Sequence, residues 1–137
     1  MADVHNLAQR SYNMSRIRSR DTKPEKTVRS TVHGLGFRYR LHQKDLPGKP
    51  DIVLSRHRKI IEVRGCFFHM HNCKFGSVVP ATNPEFWRDK RIATVKRDER
   101  NLSALWELGW NVLVVWECEV KDFKKLENIL AEFLCLS

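Results

Sequence analysis

Long apolar runs are missing from this 137-residue chain, and no stretch approaches the roughly 20 consecutive apolar residues that a membrane-spanning helix requires. The first twenty residues hold no apolar segment of signal-peptide length either, so a cytoplasmic protein is expected. Cysteine is scarce: Cys66, Cys73, Cys118 and Cys135 are the whole complement of 4. In a reducing compartment these argue against a disulfide scaffold and leave metal ligation or simple burial. Acidic residues are outnumbered, 16 Asp and Glu against 25 Lys and Arg, for a formal charge of +9. That balance suits a polyanion, nucleic acid first, although a merely soluble basic surface would carry the same charge. The length allows one hydrophobic core rather than two.

Residues 1–20 read as a basic DNA-binding arm, in which Arg10, Arg16, Arg18 and Arg20 surround the apolar pair Met14 and Ile17, too little to anchor a packed face. Residues 21–137 then form a single domain. Asp21 or Thr22 can cap a helix with Pro24 and Glu25 in its first turn, Val28, Val32 and Leu35 at helical spacing, and Gly36 as its stop. Strands are expected over 37–41, 51–54 and 59–63, the last two as an antiparallel hairpin carrying Asp51 and Glu62. Residues 64–84 show no sustained period and hold most of the His and Cys, as a loop shaped by a metal does. From Asn83-Pro84-Glu85 a helix with Phe86, Val95, Leu102 and Leu105 runs to Gly109. The run 112–116, apolar on both faces, reads as a central strand, and a last helix carries Phe123, Leu126, Ile129, Leu130 and Phe133, with Cys135 on its core side.

The chemistry concentrates in a few places. Cys66, His71 and Cys73 lie within eight residues, and Cys118 follows the buried strand. Three thiols and an imidazole suit Zn²⁺, and with all four positions filled by protein the site would be structural. Unrelated buried thiols are the alternative. Pro50-Asp51, then Glu62-Val63-Arg64 on the adjacent strand, approximates the Pro-Asp…Glu-x-Lys pattern of restriction-type nucleases, where carboxylates from two strands hold Mg²⁺. Alone that pattern is weak, since Pro-Asp is a common turn. His69 can take a proton from water if a second group orients it. Lys90, Thr94 and Asp98, four residues apart, share a helix face that could offer Lys90 and Thr94 to DNA and Asp98 to His69, or could simply be solvated. Phe67 and Phe68 either pack locally or enter a base step as apolar wedges, with Met14 as a wedge from the other groove.

Taken together, Arg10-Ser11-x-Asn13-Met14, Asp21-Thr22, Leu46-Pro47-Gly48-x-Pro50-Asp51, Gly65-Cys66-Phe67-x-His69, Glu85-Phe86-Trp87, Arg97-Asp98 and Gly109-Trp110…Val115-Trp116-Glu117-Cys118 follow in order along nearly the whole chain, which thereby resembles the very short patch repair (Vsr) endonucleases. The resemblance implies an α/β, restriction-endonuclease-like fold, a central mixed sheet flanked by helices with a structural zinc site. It implies a monomer that nicks duplex DNA 5′ to the thymine of a T:G mismatch. It also implies Asp51 and the Val63 backbone carbonyl as Mg²⁺ ligands, Glu25 as the holder of water on the metal, and His69 as general base supported by Asp98. Cys66, His71, Cys73 and Cys118 would bind zinc; Met14, Phe67 and Phe68 would intercalate; Lys90 and Thr94 would face the mismatched pair. Three positions depart from the family pattern: Glu62 replaces an apolar residue, Arg64 a histidine and Phe68 a tryptophan. The first two bring Glu62 forward as a further metal ligand.

Overall fold

A computed structural model describes residues 21–135. Within them helix α1 spans Lys23–Gly34, strand β1 Arg40–Leu41, β2 Ile52–Leu54 and β3 Lys59–Arg64, with a 3-10 turn at Ser55–His57. Helix α2 spans Pro84–Glu107, β4 Asn111–Trp116, α3 Glu117–Val120 and α4 Phe123–Cys135. The four strands form one mixed sheet in the order β1-β2-β3-β4, antiparallel between β1, β2 and β3 and parallel between β3 and β4. No helix among the described residues is long and apolar enough to cross a membrane.

Local chemistry sets the boundaries. Thr22 caps α1, its hydroxyl accepting the Glu25 N–H, so Glu25 falls in the buried first turn. The expected strand over 37–41 shrinks to Arg40–Leu41, because Phe37 N–H still closes back on the Val32 carbonyl and the Tyr39 hydroxyl reaches the Arg29 carbonyl. The β2–β3 hairpin forms as expected, with Arg58 in the left-handed region turning the chain. Gly109, at φ 90°, ends the helical stretch before β4.

Two apolar clusters lie on opposite faces of the sheet. Ile52, Leu54, Ile61 and Val115 pack with Val28 and Val32 of α1 and with Leu126, Leu130 and Leu134 of α4. Val53 and Ile60, alternating to the other face, pack with Leu105 of α2 and Trp110. Among the described residues β4 is an edge strand, not the central one its sequence suggests: Leu113 joins the first cluster and Val112 the second, so its two apolar faces come from helix layers on both sides. Cys135 and Phe123, expected in the core, are exposed; only Leu126, Leu130 and Leu134, spaced by four, line the buried stripe of α4. Phe86 and Leu102 are likewise exposed on α2.

Candidate functional site

A cleft of about 1300 Å³ opens where β2 begins and β3 and β4 end. Glu25, Asp51, Glu62, Val63, Phe68, His69, Lys90, Thr94 and Asp98 all line it, so one concavity gathers residues spread over more than half the sequence. Gly48 holds the preceding turn against α2. Its φ is +76°, and a β-carbon there would meet Asn101 Nδ2 at 2.8 Å.

Asp51 stands one residue before β2, and its Oδ2 accepts the Val63 N–H at 2.8 Å. Burial first, then the carboxylates of Glu25 and Glu62, push its pKa up to about 7 against the opposing pull of the Val63 N–H and Arg29. Such a carboxyl keeps its proton near neutrality unless a cation is present, and oxygen donors of this kind suit a hard divalent ion. Arg64 donates from Nη2 to Glu62 Oε2 at 2.8 Å, which commits one oxygen of that carboxylate. Glu25 is buried, and its Oε2 accepts from the Asp21 N–H at 2.8 Å and from Arg29 at 3.1 Å. The hydrogen bond from Arg29 in turn holds the Asp21 carboxyl below its ordinary range.

Across the cleft, His69 Nδ1 lies 2.5 Å from Asp98 Oδ2. An ionised carboxylate only accepts, so Nδ1 carries the hydrogen, and in the neutral form of the ring the free lone pair is on Nε2. The helix face inferred from sequence holds: Asp98 reaches His69, the Thr94 hydroxyl donates to the Lys90 carbonyl, and Lys90 Nζ lies over the rings of Phe86 and Trp87.

Ligand atoms of Cys66, His71, Cys73 and Cys118 all lie within 4.8 Å of one another, with Cys118 Sγ 3.5 Å from His71 Nδ1. A zinc tetrahedron with Zn–S near 2.3 Å and Zn–N near 2.0 Å has an S···N edge of about 3.5 Å, so the donor set fits the ion. Burial above all raises the Cys66 thiol far above its usual range. Cys73 is desolvated too, yet donors from Gly76, His71 and Phe75 lower it overall. Trp116, last residue of β4, stacks on His71 with centroids 4.1 Å apart and meets His69 edge-on at 6.4 Å. It thus orients the rings of both a candidate zinc ligand and the candidate base.

Phe67 and Phe68 form a half-buried aromatic group with Trp87 rather than entering either core cluster. Arg91, buried, fixes that group: its guanidinium stacks on Phe67 and donates to the carbonyls of Phe67, Val78 and Gly76. Gly76 is obligatory, since a β-carbon would overlap the His71 carbonyl oxygen at 1.8 Å. Sequence reasoning missed Arg29, His42, Trp87, Arg91 and the linking role of Trp116. A lone arginine on a basic helix gives no signal of burial, whereas Trp87 and Trp116 belong to the Glu85-Phe86-Trp87 and Val115-Trp116-Glu117-Cys118 motifs. Met14 and Arg16 lie outside the described residues.

The sequence model described as "DNA mismatch endonuclease Vsr" matches residues 2–75. A type II nicking enzyme, V.XorIIP of Xanthomonas oryzae, is 45% identical over 134 residues, covering 98% of each chain. The DNA mismatch endonuclease Vsr of Escherichia coli is 45% identical over 140 residues, covering 98% of this chain and 89% of that one. A further nicking enzyme, V.NmeAIP of Neisseria meningitidis, is 42% identical over 122 residues, 89% of this chain and 86% of its own. With matches of this extent, the chain belongs to the Vsr family of DNA mismatch endonucleases.

Proposed function

We propose that the protein is a Mg²⁺-dependent DNA endonuclease that nicks duplex DNA 5′ to the thymine of a T:G mismatch, the lesion left when 5-methylcytosine deaminates. The observation that carries this reading is the His69–Asp98 pair opening onto the same cleft as Asp51. Mg²⁺, held by Asp51 and the Val63 carbonyl with Glu62 as a further ligand, would offset charge on the phosphoryl group and acidify water. Asp98 keeps the proton on His69 Nδ1, so that Nε2 can take one from the attacking water, and then stabilises the imidazolium. Glu25, anchored by Arg29, orients water beside Asp51. Phe67 and Phe68, on the loop pinned by Arg91, enter the base step from one groove and Met14 from the other, while Arg16 binds a backbone phosphate. Unstacking is cheapest beside a mismatch, which favours T:G before Lys90 and Thr94 read the pair.

Zn²⁺ bound by Cys66, His71, Cys73 and Cys118 is structural, since four protein ligands leave no open position. The fold is restriction-endonuclease-like, residues 1–20 forming the DNA-binding arm and 21–137 the nuclease domain. A monomer with one site cuts one strand, in the cytoplasm. A second reading, cleavage of matched sites, is favoured by the Glu62–Arg64 pair, which comes closer to the Glu-x-Lys arrangement of restriction-type nucleases. The test incubates wild type and Asp51→Ala with Mg²⁺ and duplexes differing only by T:G or C:G at one position. Nicking by wild type of the T:G duplex alone supports repair, and cleavage of both supports the second reading. Binding without cleavage by wild type overturns both in favour of a non-catalytic zinc-containing DNA-binding module.

A further inference from the structure

Between α1 and Asp51 lies a polar cluster whose histidine takes no part in the proposed reaction. Arg29 Nη2 is 2.7 Å from Asp21 Oδ1, 3.1 Å from Glu25 Oε2 and 2.9 Å from His42 Nε2. Arginine stays protonated and its guanidinium nitrogens only donate. The guanidinium cannot accept, so the 2.9 Å contact suits the tautomer of His42 in which Nε2 accepts and Nδ1 carries the hydrogen. Nδ1 is the ring atom that faces Asp51, 3.8 Å from Oδ1, while Asp51 Oδ2 is already held by the Val63 N–H. The backbone supports the same placement. His42 sits at φ 47°, a region uncommon for residues with a β-carbon, and its N–H donates to the Asp51 carbonyl at 3.2 Å.

We infer that His42 is a positioning residue for Asp51: Arg29 favours its tautomer, its backbone N–H grips the Asp51 carbonyl, and its Nδ1–H, 3.8 Å from Oδ1, biases that oxygen electrostatically so that the carboxylate presents its remaining lone pairs to a divalent cation. This rests on the reading of Asp51 as a metal ligand. It follows the general rule that ligating carboxylates are themselves oriented by outer hydrogen-bond donors, whose loss costs 10–100-fold in metal affinity or activity. Asp21 and Glu25 have a part too. They balance the Arg29 charge, so the guanidinium stays where it meets the ring.

Two measurements test this without reading nicking. In the zinc-loaded protein, a long-range ¹H–¹⁵N correlation spectrum near neutral pH is expected to place the His42 hydrogen on Nδ1; an Nε2–H tautomer overturns the inference. Mn²⁺ binding to the complex with nicked T:G duplex is then followed by loss of the free-ion EPR signal. His42→Leu is expected to weaken Mn²⁺ about 10–100-fold. His42→Asn, whose amide nitrogen falls near the Nδ1 position, restores most of the affinity, and His42→Gln, which reaches the Nε2 position, does not. Wild-type affinity in His42→Leu with lost binding in Asp51→Asn overturns the His42 role and leaves Asp51 standing. Wild-type affinity in Asp51→Asn removes the metal assignment beneath both. Equal losses in the Asn and Gln variants, accompanied by a lower melting temperature, identify packing instead and also overturn it.

Discussion

Asp51 holds its proton because ionising it puts a charge into a buried site beside Glu25 and Glu62. Its folded pKa, about 7, lies above the value near 3.9 of an unfolded aspartate. Between those two pH values the metal-free folded chain binds more protons than the unfolded one. The stabilisation from this group is therefore complete below about pH 4 and lost as pH rises through 7, a change on the order of 4 kcal/mol. Asp51→Asn keeps an oxygen for the Val63 N–H and removes the titration. In metal-free protein the variant is expected to melt several degrees above wild type at pH 8 and nearly level with it below about pH 4; equal melting at both pH values would contradict this. A cation binding at Asp51 must displace the proton, so Mg²⁺ affinity should strengthen as pH rises toward 7 and then level off. At His69 the argument concerns tautomer. Asp98→Asn offers an amide that can donate to Nδ1, which moves the ring hydrogen to Nε2, where the base must act. Measured at saturating DNA, kcat should fall by roughly 10²–10⁴-fold, the usual worth of a positioned base, with KM little changed.

The segment from Gly65 to Asn83 is the element on which the site depends, yet it contains no regular helix or strand. His69 lies between Cys66 and His71, so whatever holds those two ligands also aims the base. On the proposed reading, zinc at the Cys66, His71, Cys73 and Cys118 cluster would act on catalysis through geometry, although it lies outside the cleft chemistry. Chelating it should leave far-UV circular dichroism close to native, because the two apolar clusters are built without this segment. Amide exchange over residues 65–83 should rise sharply and nicking should fall with it; unchanged exchange there would remove zinc from the account. Much of this was legible in the sequence. Helix α1, the β2–β3 hairpin and α2 announced themselves through caps, turns and periodicity, and the cysteine spacing marked the metal cluster. The misreadings have physical causes. The 112–116 run is apolar on both faces because helices cover both faces of an edge strand, an arrangement that a linear pattern does not distinguish from a central position. Arg91 and Arg29 look like any surface arginine until the fold supplies backbone carbonyls for one and a histidine for the other.

On the scale of the whole molecule, the charged side chains described around the cleft are arranged by depth. Lys44, Lys49, Lys90 and Arg97 line it as exposed residues, whereas Glu25, Asp51, Glu62 and Asp98 are buried or half-buried within it. On the proposed reading a phosphate backbone would meet the cations first, and the carboxylates would act at shorter range on a metal and on His69. Affinity and discrimination should therefore separate. Neutralising a phosphate-facing cation releases fewer counterions, and each such contact contributes about −0.9 to the slope of log K against log salt concentration. Lys49→Ala and Arg97→Ala are expected to weaken binding to T:G and C:G duplexes by the same factor and to flatten that slope by about 1 each. Phe68→Ala leaves the charge unchanged and removes an apolar ring beside the cleft, so the slope should stay at its wild-type value while preference for T:G declines. Binding titrations at several salt concentrations on both duplexes distinguish the two behaviours. A steeper loss on T:G than on C:G for the lysine and arginine variants would mean that these cations read the mismatch rather than the backbone.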